Sequence, residues 1–144
     1  MAEMVNSKIM KCYSKMRKCR EKGHIKRCLI YQKLIRLLFS AEIPYTVELG
    51  DNVDLVHGGL GVVIHKDAKI GANTKIYQNV TIGGLPDGGV PVIGQNVLIG
   101  SGAVVLGGIS IGDNAKIGAN AVVLIDIPPN STAVGVPARI LKKD

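Results

Sequence analysis

The chain has 144 residues, enough for one domain, and only 3% of its residues are aromatic, with no tryptophan. It has no apolar run of about eighteen residues, the length that predicts a membrane-spanning helix, and its polar, basic start does not resemble a secretion signal. We therefore expect a cytoplasmic protein in which Cys12, Cys19 and Cys28 are reduced thiols.

Positive charge is concentrated at the start of the chain. The net charge is +7, but residues 1–40 alone hold eleven Lys and Arg against two acidic residues, whereas the remainder holds seven against nine. Apolar residues recur at helical spacing in two stretches, 5–21 and 25–39, with Gly23 between them. Residues 1–40 are therefore predicted to form a basic helical segment attached to a nearly neutral body.

The partner of this basic segment is left open by the sequence. Its Leu and Ile stripe suits docking on the body of the protein or on an anionic membrane surface, and the second alternative predicts a peripheral membrane location. Residues 1–40 contain no recognised nucleic-acid-binding motif, so we expect no nucleic acid partner.

An apolar residue recurs every six positions over much of the remaining chain. The positions are Ile64, Ile70, Ile76, Ile82, Ile93, Ile99, Val105, Ile111, Ile117 and Val123. A period of six fits neither an α-helix nor a simple alternating strand, but it is typical of a parallel β-helix in which each hexad forms one short strand and a turn. We predict a β-helix over residues 41–127 and a cap or tail over residues 128–144.

Two irregularities interrupt the period. The step from Leu55 to Ile64 is nine residues, and the step from Ile82 to Ile93 is eleven. The second step contains the Pro- and Gly-rich segment 83–92, which predicts an extruded loop. Because regular coils are committed to stacking, a functional site is expected at these irregularities.

The hexads and the segments HGGLGVVI, YQNVTIGG and AVGVPARI resemble those of hexapeptide-repeat acyltransferases. Within that family the chain is similar to the serine acetyltransferases and their shorter relatives in polysaccharide gene sets, over roughly residues 41–141. The resemblance implies an all-β fold, a left-handed parallel β-helix assembled as a homotrimer. It also implies that acetyl-CoA lies between neighbouring subunits and that no metal is used.

The resemblance also implies roles for individual residues. His57 matches the catalytic histidine, which would take the proton of an acceptor hydroxyl. Gly84, Ser101 and Ala119 match family positions that lie along the coenzyme. From its charge, Arg139, with Lys142 and Lys143, is expected to meet the coenzyme phosphates. From their places in the sequence, two residues of the turn before VTIGG, Gln78 and Asn79, and the charged residue of the loop, Asp87, are expected to line the acceptor pocket. By contrast, His65 is expected to be a solvated turn residue and His24 to be structural.

Two departures from the serine acetyltransferases bear on the acceptor. Those enzymes carry an acidic residue directly before the histidine, where this chain has Val56, and an Arg-His pair in the extruded loop, which here reads GGLPDGGVPV. Both losses remove groups that would hold an amino acid. The sequence thus predicts an O-acetyltransferase whose acceptor is a sugar hydroxyl of a surface polysaccharide or its precursor.

Three other functions were weighed against this prediction. The first is serine O-acetylation in cysteine biosynthesis, and the second is a trimeric β-helix scaffold without catalysis. The third is a carbonic anhydrase of this fold, which needs three histidine ligands for zinc. Since His57 and His65 are the only histidines in the coils, the sequence argues against the third.

Overall fold

The computed structural model describes residues 7–86 and 88–141. Two helices, α1 (Lys8–Glu21) and α2 (Ile25–Phe39), pack against each other at the start of the chain, close to the predicted stretches. The hydroxyl of Ser7 caps α1 by accepting a hydrogen bond from the Met10 N–H, and α2 ends at Ser40, which has a left-handed backbone conformation. No described helix is long and apolar enough to span a bilayer.

The described strands are two or three residues long and form three sheets. Sheet 1 contains β1 (Glu48–Leu49), β4 (Lys69–Ile70), β7 (Val92–Ile93) and β10 (Ser110–Ile111). Sheet 2 contains β2 (Asp54–Leu55), β5 (Lys75–Ile76), β8 (Leu98–Ile99), β11 (Lys116–Ile117), β13 (Thr132–Val134) and β14 (Arg139–Ile140). Sheet 3 contains β3 (Val63–Ile64), β6 (Thr81–Gly83), β9 (Val104–Leu106) and β12 (Val122–Val123).

The chain visits the three sheets in turn, so that three hexads make one coil. In the regular coils each strand pairs in parallel with the strand eighteen residues later, as Leu98 does with Lys116. The second residue of most strands, for example Ile99 or Ile117, is fully buried in the interior. This stacking of small apolar side chains explains how a protein nearly without aromatic residues builds a core.

Turns between the sheets need a left-handed backbone, which glycine and asparagine adopt with little cost. In the turns that join sheet 2 to sheet 3, Gly102 has φ +70° and Asn120 in the next coil has φ +56°. A Cβ atom on Gly102 would collide with the side-chain amide of Asn120. The alternation of Gly and Asn in neighbouring coils therefore relieves crowding as well as backbone strain.

Both predicted irregularities are present. Leu55 pairs with Ile76, twenty-one residues later, because the turn after β2 is three residues longer than in a regular coil. Ile76 pairs with Ile99, twenty-three residues later, because five extra residues leave the coil after β6. Beyond residue 127, β13 continues the stack on β11, and the antiparallel β14 then follows in the segment expected to form a cap.

The helices are fixed to the first coil by buried hydrogen bonds. The Tyr13 hydroxyl donates to the Val47 carbonyl at 3.1 Å and accepts from the Leu49 N–H at 3.2 Å. Burial raises the pKa of this hydroxyl above its ordinary value. On α2, Gln32 donates from Nε2 to Oε1 of Glu42 at 3.2 Å. The helical segment is therefore part of the folded body rather than a loose appendage.

The outward faces of the three sheets differ in polarity. Sheet 1 presents Glu48, Lys69, Val92 and Ser110 to the outside. Sheet 2 presents Asp54, Lys75, Leu98, Lys116 and Thr132. Sheet 3 presents Val63, Thr81, Val104 and Val122, none of which is charged. The three sheets form the sides of a three-sided prism, and sheet 3 is its apolar face.

Candidate active site

His57 lies in the long turn between β2 and β3. The turn Val56–Gly59 holds His57 and Gly58 in left-handed conformations, with φ of 56° and 69°, an unusual state for histidine. Gly59 is buried, and a Cβ atom there would come within 2.8 Å of the Ile9 side chain of α1. Because α1 packs against the inner side of this turn, the His57 ring is turned outward and remains exposed.

An aromatic ring accompanies His57. Tyr77 directly follows β5, and the centroids of the Tyr77 and His57 rings are 6.4 Å apart with 66° between their planes. No hydrogen bond joins the His57 ring to any residue among those described. The sequence analysis did not single out Tyr77, although the pairing of Leu55 with Ile76 places it beside His57.

Four predicted site residues lie in the same corner of the prism as His57. Successive turns between sheets 2 and 3 stack through backbone hydrogen bonds: the Asn79 N–H donates to the Leu60 carbonyl, and the Gly102 N–H donates to the Gln78 carbonyl. One coil further, the Asn120 N–H donates to the Ser101 carbonyl. The corner column defined by these turns contains Gln78, Asn79, Ser101 and Ala119.

Gln78 and Asn79 differ in their environments. Asn79 has φ +60° and its side-chain oxygen lies against Gly61, so its role is to form the turn between sheets 2 and 3. The Oε1 atom of Gln78 is buried and has no hydrogen-bond partner among the described residues. A buried polar atom without a partner costs free energy unless a ligand or water satisfies it. Gln78 is therefore the stronger candidate for contact with a bound molecule.

The extruded loop lies at a different corner, between sheets 3 and 1. Its ends are joined by a hydrogen bond from the Leu85 N–H to the Gly89 carbonyl, and Gly84 lies beside that carbonyl and beside His65. A Cβ atom on Gly84 would come within 3.2 Å of the Gly89 oxygen. A side chain at this point would therefore crowd the carbonyl that closes the loop.

His65 was expected to be solvated, but the loop leaves only 34% of its side chain exposed. Its Nδ1 atom accepts a hydrogen bond from the Asp67 N–H at 3.2 Å. In the neutral ring the proton then resides on Nε2, and the neighbouring Cδ2 atom faces Gly84. His65 is thus a donor at the base of the loop.

The remaining predicted residues lie at the end of the chain or outside the described residues. Arg139 belongs to β14 at the edge of sheet 2, where its guanidinium donates to the Ala138 carbonyl at 3.4 Å. Asp87, Lys142 and Lys143 lie outside the described residues.

Apart from Arg139, the predicted site residues that the structure describes fall into two groups on opposite sides of sheet 3, one beside Tyr77 and the other beside His65. His57, Tyr77 and the corner column line one edge of that sheet, and Gly84 with His65 lies at the other edge. The apolar outer face of sheet 3 lies between the two groups. An exposed imidazole can accept a proton from a hydroxyl, so the first group has the chemistry of a general base site.

Comparisons with known proteins show which family and fold the chain resembles. Residues 91–124 match the family model for the bacterial transferase hexapeptide (six repeats). Serine acetyltransferase of Staphylococcus xylosus is 44% identical over 128 residues, which are 87% of this chain and 58% of that protein. The chain spans between 38% and 58% of the length of the first curated relatives that it matches.

Solved structures extend the likeness to three dimensions. Soybean serine acetyltransferase complexed with serine superposes with a TM-score of 0.85 at 38% identity, over 92% of this chain and 56% of that one. Serine acetyltransferase of Brucella abortus in complex with coenzyme A gives 0.86 at 31% identity, over 93% and 54%. The predicted left-handed parallel β-helix and the resemblance to hexapeptide-repeat acyltransferases are confirmed.

Proposed function

The chain is a hexapeptide-repeat protein with the left-handed β-helix of the serine acetyltransferases, and we propose that it transfers an acetyl group from acetyl-CoA to the hydroxyl of L-serine. The observation that carries the proposal is the likeness, over nine-tenths of the chain, to solved enzymes that hold serine or coenzyme A. The exposed imidazole of His57 supplies the base that this reaction needs.

In the proposed reaction, Nε2 or Nδ1 of His57 accepts the hydroxyl proton while the hydroxyl oxygen bonds to the thioester carbonyl carbon. The carbonyl oxygen carries the negative charge of the tetrahedral intermediate. When the tetrahedral intermediate collapses, the bond between carbon and sulfur breaks, and the departing thiolate takes the proton from the imidazolium of His57. General base catalysis of this kind contributes about 100- to 10,000-fold to the rate. The ester and free coenzyme A leave, and His57 is regenerated.

The sugar acceptor predicted from the sequence is not supported by the relatives, which favour the alternative, serine. That prediction rested on side chains missing at Val56 and in the loop 83–92. A buried amide oxygen can replace a carboxylate as the acceptor for an ammonium group, and the unpartnered Oε1 of Gln78 is such an atom. The loss of two charged groups therefore does not by itself exclude an amino acid.

The proposal includes a homotrimer that packs through sheet 3. The outward residues Val63, Val104 and Val122 suit a buried interface, whereas the charged faces of sheets 1 and 2 suit solvent. A neighbour packed there would bring its loop 83–92 towards the corner column of the first subunit. The coenzyme would then lie in the intersubunit groove, along Ser101 and Ala119 of one chain and Gly84 of another.

The assembly is tested by light scattering. A trimer has three times the 15.2 kDa mass of the chain. Val104→Lys places a charge on sheet 3 and should yield monomers, whereas Lys75→Gln on sheet 2 should leave the mass unchanged. A monomeric wild-type protein would contradict the trimer and the shared site together.

Activity is tested by free-thiol release from acetyl-CoA with L-serine, amino alcohols, sugars and nucleotide sugars as acceptors. We expect turnover with L-serine; turnover with a sugar alone would restore the glycan acceptor. If no acceptor reacts, thermal shift separates an unknown acceptor from a scaffold. Coenzyme at about 100 times its Kd should stabilise the fold by about 2.7 kcal/mol, and no shift at millimolar coenzyme would favour a scaffold.

A further inference from the structure

We propose that the outer face of α2 docks on an anionic membrane surface. The outer face is defined by its four apolar residues, Ile30, Leu34, Leu37 and Leu38. Their exposed fractions are 57% for Ile30, 79% for Leu37 and 64% for Leu38, with Leu34 at 37%. This property is separate from acetyl transfer and does not depend on it.

The position of α2 on the body fixes which side is free. Cys28 and Ile35 are fully buried, and Gln32 between them bonds to Glu42 and to the Tyr45 N–H. At 100° per residue these side chains lie on one side of the helix. Ile30 and Leu37, seven residues apart, share a line on the opposite side, so the apolar stripe cannot fold back into the core.

Positive charge borders the stripe. At 100° per residue Lys26 and Lys33 lie along one border, and Arg27 lies at the N-terminal end of the stripe itself, on a line between Leu34 and Leu38. Lys26, Lys33 and Arg27 are all exposed. None of them forms an ion pair with a described residue. The sequence of α2, IKRCLIYQKLIRLLF, contains no acidic residue. An exposed apolar stripe flanked by Lys and Arg is the pattern of a helix that lies in the plane of a bilayer surface.

Charge decides between a membrane and a second copy of the chain. Two α2 helices packed face to face would bring Lys26 and Lys33 of each copy together without any acidic residue on either helix to pair with them. An anionic headgroup layer instead attracts them, and each cation near such a surface adds roughly five-fold to partitioning. The long Lys side chains also extend to the headgroups while Ile30 and Leu37 enter the acyl boundary.

A protein that encloses a basic helix in a groove fits the geometry less well. Such a partner surrounds the helix, but the inner side of α2 is already engaged by Gln32 and Ile35. A planar surface needs only the outer side. The helix has fifteen residues, about four turns, so it lies along a membrane rather than across it.

The test is sedimentation of the purified full chain with vesicles of phosphatidylcholine alone or of equal parts phosphatidylcholine and phosphatidylserine. We expect at least ten-fold stronger partitioning onto the vesicles that contain phosphatidylserine, weakening as salt is added. The variant Ile30→Gln/Leu37→Gln should lower partitioning at least ten-fold. The variant Lys26→Gln/Lys33→Gln should lower it by roughly twenty-five-fold at low salt, five-fold for each cation.

The matched control is Leu124→Gln/Ile125→Gln, which removes two exposed apolar residues from the far end of the coils. It should sediment like the wild-type chain, and circular dichroism should give all variants the same folded spectrum. Absence of vesicle binding, equal binding to both vesicle types, or binding that survives Ile30→Gln/Leu37→Gln would overturn the proposal. If that variant instead dissociates the assembly without changing vesicle binding, a second copy occupies the face.

Discussion

The ring of Tyr77 stands edge-on to the ring of His57, with 6.4 Å between their centroids. This contact is the one aromatic pair found among the described residues. It joins the inserted turn of the first coil to the regular turn of the second. Since Val56 supplies no carboxylate to orient the imidazole, we expect the neighbouring Tyr77 ring to restrict the rotation of the exposed His57 ring.

His57→Ala should lower kcat for acetyl transfer at least about 100-fold, because no other described side chain in that corner can act as the base. The affinity for acetyl-CoA, measured by thermal shift, should be preserved. The matched control is His24→Ala, since His24 is exposed before α2 and its side chain caps nothing. Equal activity of the two variants would remove His57 from the mechanism.

Tyr77→Ala should lower kcat by about two- to twelve-fold, since an aromatic contact of this geometry contributes about 0.5–1.5 kcal/mol. The KM for acetyl-CoA should stay constant, because the change affects the orientation of the base and not the coenzyme site. Tyr77→Phe keeps the ring and should restore the rate. A phenylalanine variant as slow as the alanine variant would assign the effect to the hydroxyl and contradict ring positioning.

Gln78→Leu should raise the KM for L-serine about ten-fold or more, the effect of losing a hydrogen bond of about 1.5–3 kcal/mol to a charged group. Its free energy of unfolding should not fall, because the substitution removes a buried oxygen that lacks a partner in the described structure. Gln95→Leu, at an exposed turn in another corner, is the control. An unchanged KM for serine would show that Oε1 of Gln78 does not contact the acceptor.

Tyr13→Phe should lower the free energy of unfolding by about 1–3 kcal/mol in urea titrations near neutral pH, since it leaves the buried Val47 carbonyl and Leu49 N–H without their partner. Tyr31→Phe is the control, because the Tyr31 hydroxyl bonds to no described residue. An unchanged free energy of unfolding in Tyr13→Phe would show that water replaces the hydroxyl in both hydrogen bonds.

The same tyrosine predicts a dependence on alkaline pH. Burial raises the pKa of the Tyr13 hydroxyl in the folded state. As pH rises, the unfolded chain therefore loses the hydroxyl proton first, at about pH 10. Its stabilising effect is complete below that pH and is lost as pH rises towards the folded-state pKa. Wild-type protein should therefore lose stability more steeply above that pH than Tyr13→Phe, as followed by thermal unfolding.

The hexads predicted the coils because each inward position must be apolar at a fixed period, and Ile64, Ile82 and Ile117 are accordingly buried. The two irregular steps were also predicted from the sequence, since a longer spacing between inward apolar residues means a longer coil. The sequence analysis left open whether the Leu and Ile residues of the second helical stretch dock on the body of the protein or on a membrane, and in the structure only Cys28 and Ile35 are fully buried there. The spacing of apolar residues predicts that a helix has an apolar face, but it does not predict whether the protein itself or another surface contacts that face.

Site details that depend on contacts between coils were not predicted. The proximity of Tyr77 to His57 depends on the exact register of Leu55 with Ile76, which includes the inserted turn. Likewise, His65 is half-buried because the loop folds back onto it through Gly84, and residue spacing alone does not determine the path of a loop. The left-handed conformation of His57 was also not predicted, since only a small fraction of histidines adopt a positive φ.

The final strand of sheet 2 has a consequence for how copies of this protein meet. A stack of parallel strands ends in a row of unpaired backbone groups, onto which the first coil of another molecule can add in the same direction. Because β14 runs antiparallel and pairs Arg139 with Val134, it occupies that row on β13. End-to-end growth of the solenoid into fibres is thereby blocked at this sheet, so deleting residues from 136 onward should favour filaments that electron microscopy can detect.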